Sequence, residues 1–149
     1  MPADYGGVAC PKPTKLDRVL AKKQAARDED AHETKVDKIV DARDKKRCRC
    51  CGRRGNPAAT TVFDRLHRAH IVDRSRSGAY ESFNILLLCA LCHLSRGVHG
   101  KQLFILGSNA DERIEFEILE AAVVHIFGNR ALPGHVHMIT PDGERTVER

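Results

Sequence analysis

The chain has 149 residues, no tryptophan and 30% charged side chains, enough for one domain with extensions and a modest core but not for two full-sized cores. No run approaches the ~18 consecutive apolar residues that a membrane span requires, and Met1–Pro13 lacks the apolar block of a secretory signal. A reducing cytoplasm is therefore the expected location, no membrane partner is expected, and the six cysteines are expected to ligate metal rather than pair as disulfides.

The net charge of +5 is unevenly spread. Residues 1–47 carry 12 basic and 9 acidic side chains, residues 48–102 carry 9 and 3, and residues 103–149 carry 4 and 8. A basic middle favours a polyanion through phosphate contacts and counterion release, although charge alone fits a solvated basic surface equally well.

Residues 1–13 read as a flexible arm rich in Gly and Pro, in which Cys10 is a spare thiol. Residues 14–47 read as a helical basic extension, with no Gly or Pro between 14 and 46. Thr14 followed by Asp17 is an N-terminal cap signal. Leu16, Val19 and Leu20 form one apolar stripe, and Val36, Ile39 and Val40 form a second at the same helical spacing. The polar stretch between them predicts a break or an exposed segment near Asp28–His32, and the second stripe is expected to pack on the module that begins at Cys48. A basic helix face could touch a nucleic-acid backbone, with a solvated helix as the plainer reading.

Residues 48–101 hold the chemistry. Cys48 and Cys51 form one C-x-x-C pair and Cys89 and Cys92 another, with 37 residues between them. Two such pairs can place four thiolates around a structural Zn²⁺, a closed site that supplies folding energy. Gly52 lets the first pair turn tightly, so that its amides point at sulfur. Cys50 is expected to point away from the metal. Between the pairs, the alternation around LHRAHIV predicts a strand carrying His70, RSRSGAYES a turn, and NILLLC a return strand. The residues after Cys89 are expected to open a helix with His93 at its start. A strand histidine facing a helix histidine can hold one divalent metal and one activated water, a pairing suited to phosphodiester hydrolysis. His32, His125, His135 and His137 lie outside this pattern and are expected at the surface or in packing. Over residues 102–149, KQLFILG and RIEFEIL predict a hairpin, EAAVVHIF a short helix stopped by Gly128, and HVHMIT and ERTVER a second hairpin about a Pro-Asp-Gly turn. The tail is acidic.

The order C-x-x-C, A-H-I with R-S-x-S-G, N-x-x-x-L-C-x-x-C-H and a later His closely resembles HNH endonucleases, most of all their four-cysteine, phage-type branch. The match spans about Cys48–Lys101. The resemblance implies an α+β fold, a ββα-metal core of hairpin and helix gripping one catalytic cation, here stapled by the four-cysteine zinc. It implies a nuclease acting on DNA, double-stranded DNA first, with Mg²⁺ or another divalent cation, in a host cytoplasm if phage-encoded. By position, His70 matches the general base, Asn84 the residue bracing the loop and base, and His93 the metal-binding histidine. Arg74 and Arg76 come after the base where guanidinium groups could grip phosphate. Two departures stand out. Ala69 occupies the position that commonly supplies a metal ligand, and His67, two residues earlier on the same strand face, is the candidate substitute. His99 lies six residues past His93 where four is usual, and remains a candidate for the metal or the leaving oxygen. The alternative is a zinc-stabilised nucleic-acid-binding module, weakened or inactive as a nuclease because of Ala69. A bare zinc scaffold for a protein partner leaves His70, Asn84 and His93 unexplained.

Overall fold

The structure, a computed structural model, describes residues 11–119, 122, 125 and 126, and the backbone of Val136–Ile139 and Arg145–Glu148. Cys10 and His135 lie outside these residues, as do the Pro-Asp-Gly turn and Gly128. The chain divides into two units, Met1–His32 and Glu33–Arg149.

Helix α1, Lys15–Arg43, opens on a reciprocal cap. The amide and hydroxyl of Thr14 donate to the Asp17 carboxylate at 2.8 and 2.6 Å, and the Asp17 amide donates to Thr14 Oγ1 at 3.2 Å, which satisfies first-turn groups that lack an intrahelical partner. No break occurs at Asp28–His32, because nothing in that polar stretch removes a backbone donor or favours a non-helical conformation; the stretch is exposed. Leu16, Val19 and Leu20 are exposed as well, so the first apolar stripe buries nothing among the described residues.

In the second unit the last turns of α1 are anchored. Val36 and Val40 pack against Ile85 and Leu87, while Ile39 stays 45% exposed and does not complete the second stripe. The helix ends where Lys45 and Lys46 both turn left-handed at φ 52°, and the Lys46 amide returns to the Asp41 carbonyl at 3.1 Å, an end usually built with glycine.

Strands β1, Leu66–His70, and β2, Ile85–Cys89, pair antiparallel with His70 opposite Ile85 and Leu66 opposite Cys89. Every residue of β2 is buried. Ile85 and Leu87 meet α1, and Leu86 and Leu88 enter a second cluster with Cys48, Cys92, Leu103 and Phe116. A strand covered on both faces reads as a continuous apolar run, which is why NILLLC shows no alternation. Helix α2 is one turn, Ala90–His93, so His93 closes it rather than opening it. The chain then leaves the helical path at Leu94 and wraps back, with the Val98 amide on the Cys92 carbonyl at 2.9 Å.

Strands β3, Leu103–Leu106, β4, Ile114–Ile118, β5, Val136–Ile139, and β6, Arg145–Glu148, form one four-stranded antiparallel sheet in sequential order. The two expected hairpins are thus halves of a single sheet. Of EAAVVHIF, Ala122, His125 and Ile126 are helical; the remainder lies outside the described residues. A buried ionic knot ties the sheet's approach to the cysteine segment. Asp44, its side chain fully enclosed, pairs with Arg43 at 2.7 Å and Arg49 at 2.9 Å and accepts from the Leu87 amide at 2.9 Å. Arg49 also donates to the carbonyls of Ala110 and Glu112 at 2.8 and 3.2 Å, so its buried charge is compensated by several partners at once.

Candidate functional site

The four cysteines converge. Cys48, Cys51, Cys89 and Cys92 place their sulfurs within 4.8 Å of one another, and they are the sole such group of three or more His, Cys, Asp or Glu ligand atoms among the described residues. Four ligands at the usual zinc–sulfur length lie roughly 3.8 Å apart in a tetrahedron, so the set is compatible with zinc. The first pair sits on a knuckle. The Gly52 amide returns to the Cys48 carbonyl at 2.8 Å, Gly52 itself takes φ 72°, and the Cys51 amide points at Cys48 Sγ at 3.5 Å. Burial drives the pKa of Cys48 up, and hydrogen bonding with Cys48 and its neighbours drives Cys92 up and Cys89 and Cys51 down. A cation would let all four ionise. Cys50 is outside the four-sulfur group, as its position in the turn predicts; it is buried in the core beside Cys92.

The histidines gather at the neighbouring edge of β1. A cavity of about 310 Å³ is lined by Arg68, His70, Asp73, His93, His99 and Lys101, with Val98. His70 Nε2 is itself enclosed and has no hydrogen-bond partner among the described residues. Its pKa is lowered, first by burial and then by the Arg74 charge, so the ring is held neutral. The Tyr80 ring packs edge-on against it at 5.6 Å. His93 is pushed down to about 4, chiefly by burial and then by the imidazoles of His99, His67 and His70.

His67 does reach His93. Their Nδ1 atoms are 2.9 Å apart, and His67 Nε2 lies 2.6 Å from the Val62 carbonyl. A carbonyl only accepts, so Nε2 carries the hydrogen and, in the neutral ring, Nδ1 is the lone-pair nitrogen. Metal-bound histidines commonly donate their other N–H to a backbone carbonyl in this way. Ala69 is buried in the core and offers no ligand. His99 also arrives despite its long spacing. Its amide returns to the His93 carbonyl at 2.9 Å, and the two rings lie 4.5 Å apart. The return depends on Gly97, where a Cβ would stand 1.9 Å from the Cys92 carbonyl oxygen.

Asn84 is buried and ties the loop after β1. Its Oδ1 accepts from the Val72 amide at 2.8 Å, and its Nδ2 donates to the carbonyls of Val72 and Ala79 at 3.0 and 2.9 Å. Arg74 and Arg76 lie outside the cavity lining. Arg74 pairs with Glu33 at 2.5 Å and stacks over Tyr80, and Arg76 is exposed. The cations that do line the cavity, Arg68 and Lys101, and the carboxylate Asp73 were missed from sequence. Arg68 was readable, since it shares a strand face with His70 by the period of two; Asp73 and Lys101 depend on how two loops fold back.

Residues 48–98 match the family model described as HNH endonuclease. This segment is similar to HNH endonuclease domains. Comparisons with curated proteins and with solved structures returned no match. The matched segment belongs to a small α+β unit in which the cysteine cluster and the histidine cavity share α2. Cys92 belongs to one and His93 to the other.

Proposed function

We propose that the chain is a metal-dependent HNH endonuclease that hydrolyses DNA phosphodiester bonds. The observation that carries this reading is the gathering of His70, His93 and His99 around one cavity, with His70 held neutral by burial and the Arg74 charge. In this reading His70 is the general base, and Asn84, His93, His67 and His99 serve around it. The His70 imidazole takes one proton from water as the water oxygen bonds to phosphorus, and the bond from phosphorus to the leaving oxygen breaks. Lys101 attracts the phosphate by charge, Arg68 stands beside it paired with Asp37 and Asp41, and Asn84 fixes the loop that carries Asp73. His93 and His67, with two nitrogens 2.9 Å apart, fit a shared divalent cation, with His99 beside them. Such a cation, Mg²⁺ or another divalent ion, would neutralise charge developing on the phosphate. Zn²⁺ at the four cysteines would hold the fold. Arg74 and Arg76 remain candidates for phosphate outside the cavity. Labour divides along the chain: residues 1–13 an arm, 14–47 a helical extension, 48–101 the nuclease module and 102–149 a sheet-forming extension, working in a cytoplasmic setting on double-stranded DNA.

A second reading, a zinc-stabilised nucleic-acid-binding module that does not cut, is favoured by Ala69, which leaves the histidines without the ligand usual at that position. One experiment divides the two. Purified, zinc-loaded protein incubated with supercoiled plasmid should convert it to nicked or linear forms when Mg²⁺ or Mn²⁺ is added. Plasmid bound but left supercoiled with every divalent cation would select the second reading.

A further inference from the structure

The knuckle has a face that its zinc does not explain. Residues 45–63 contain no Asp or Glu, and the preceding carboxylate, Asp44, is enclosed and committed to Arg43 and Arg49. Lys46, Arg47, Arg53 and Arg54 are all exposed. The backbone holds them together: Arg47 and Arg54 face each other across an isolated antiparallel bridge, and the Cys48 amide donates to the Arg53 carbonyl at 2.8 Å. Among the described residues none of these four takes a carboxylate partner. Like charges fixed this close repel one another unless a polyanion is present.

The patch also leads somewhere. Beside it lies a cavity of about 300 Å³ whose lining includes Lys46, Asn56, Arg65, Leu66 and Arg68, together with Asp41, which pairs with Arg68 at 3.0 Å. Arg68 lines the histidine cavity too. Leu66, Arg68 and His70 share one face of β1 by the strand's period of two, so knuckle, cavity and His70 succeed one another along that strand. The run from Leu66 to His70 covers about 13 Å at the usual rise per residue, about four base-pair rises of duplex DNA.

We infer that the basic face of the knuckle, Lys46, Arg47, Arg53 and Arg54, is an accessory site for the sugar-phosphate backbone, holding nucleic acid beyond the bond that is cut. The inference rests on the nuclease reading for its ligand, and it gives the zinc knuckle a second task besides stability. Its ligand chemistry is the phosphodiester backbone, read by charge rather than by base.

The test is a salt titration of binding. Full-length, zinc-loaded protein carrying His70→Ala, which prevents cutting, is titrated onto a labelled duplex of about 30 base pairs at several salt concentrations. Adding Arg47→Ala, Arg53→Ala and Arg54→Ala should reduce the slope of log K against log salt by about 2–3 and weaken binding at least about tenfold at 0.1 M salt. The matching Arg→Lys triple variant should keep most of the affinity, because a backbone contact needs charge more than shape. Should the alanine triple variant lose zinc, Arg53→Gln alone reads the same property, with a slope smaller by about 0.9. Unchanged slope and affinity in the zinc-replete alanine variant, or equal losses in the lysine variant, would overturn the accessory site while leaving the nuclease reading intact. No duplex binding by the parent protein would overturn the nuclease reading itself.

Discussion

Replacing Asn84 by alanine should cost far more than removing an ordinary polar side chain. Asn84 is 3% exposed and spends its amide on three hydrogen bonds of 2.8–3.0 Å to Val72 and Ala79. At about 0.5–1.5 kcal/mol net for each bond, the loss sums to about 2–4 kcal/mol, reduced where water reaches the freed groups of the loop. That is a large share of the ~5–15 kcal/mol that holds a small domain. Urea unfolding of zinc-loaded protein measures it directly. Asn84→Asp separates bonding from bulk, since it keeps the acceptor for the Val72 amide but turns an oxygen on two carbonyls. It should be at least as destabilised as alanine. A change under about 0.5 kcal/mol for either variant would refute the bracing argument.

Cys89→Ser should lose zinc and cooperative unfolding together, read by metal analysis and a thermal melt, because structural zinc supplies on the order of 10 kcal/mol of folding free energy. Cleavage should rise with pH through a midpoint below the ordinary imidazole value, since the proposed base, His70, has its pKa lowered by burial and Arg74. Arg74→Ala removes a cation from beside it and should move that midpoint upward; single-turnover rates between about pH 5 and 8 decide both. Gly97→Ala would put a methyl 1.9 Å from the Cys92 carbonyl oxygen. It should cost about 2 kcal/mol or more in urea unfolding and separate the His99 ring from His93, visible as changed imidazole shifts in NMR spectra.

Much of the site was legible because its signals are local. Two C-x-x-C pairs can converge only if the chain between them doubles back, and the LHRAHIV and NILLLC segments supply that hairpin. The Thr14–Asp17 cap and the anchoring of Val36 and Val40 came from helical spacing. What escaped the sequence depends on tertiary geometry. Helix α2 stops after one turn because the chain folds back through Gly97 onto Cys92 and His93, and no periodicity reports that. The same return brings His99 to His93 across a spacing that looked two residues too long. The pairing of Arg74 with Glu33, 41 residues earlier, likewise has no local signal. At Asp28–His32 the polar stretch admits a break or an exposed segment, and it is an exposed segment of an unbroken helix. Polarity alone does not end a helix whose backbone bonds are intact.

The central claim, that His70 activates the water in a cation-dependent cleavage, is tested most directly by single-turnover cleavage of a duplex by His70→Ala protein at saturating enzyme. The variant should bind the duplex, retain zinc and melt like the parent, while the cleavage step slows by about 10²–10⁴-fold. Cleavage within about threefold of the parent, with zinc and binding intact, would contradict the account, since positioning effects alone then carry the chemistry.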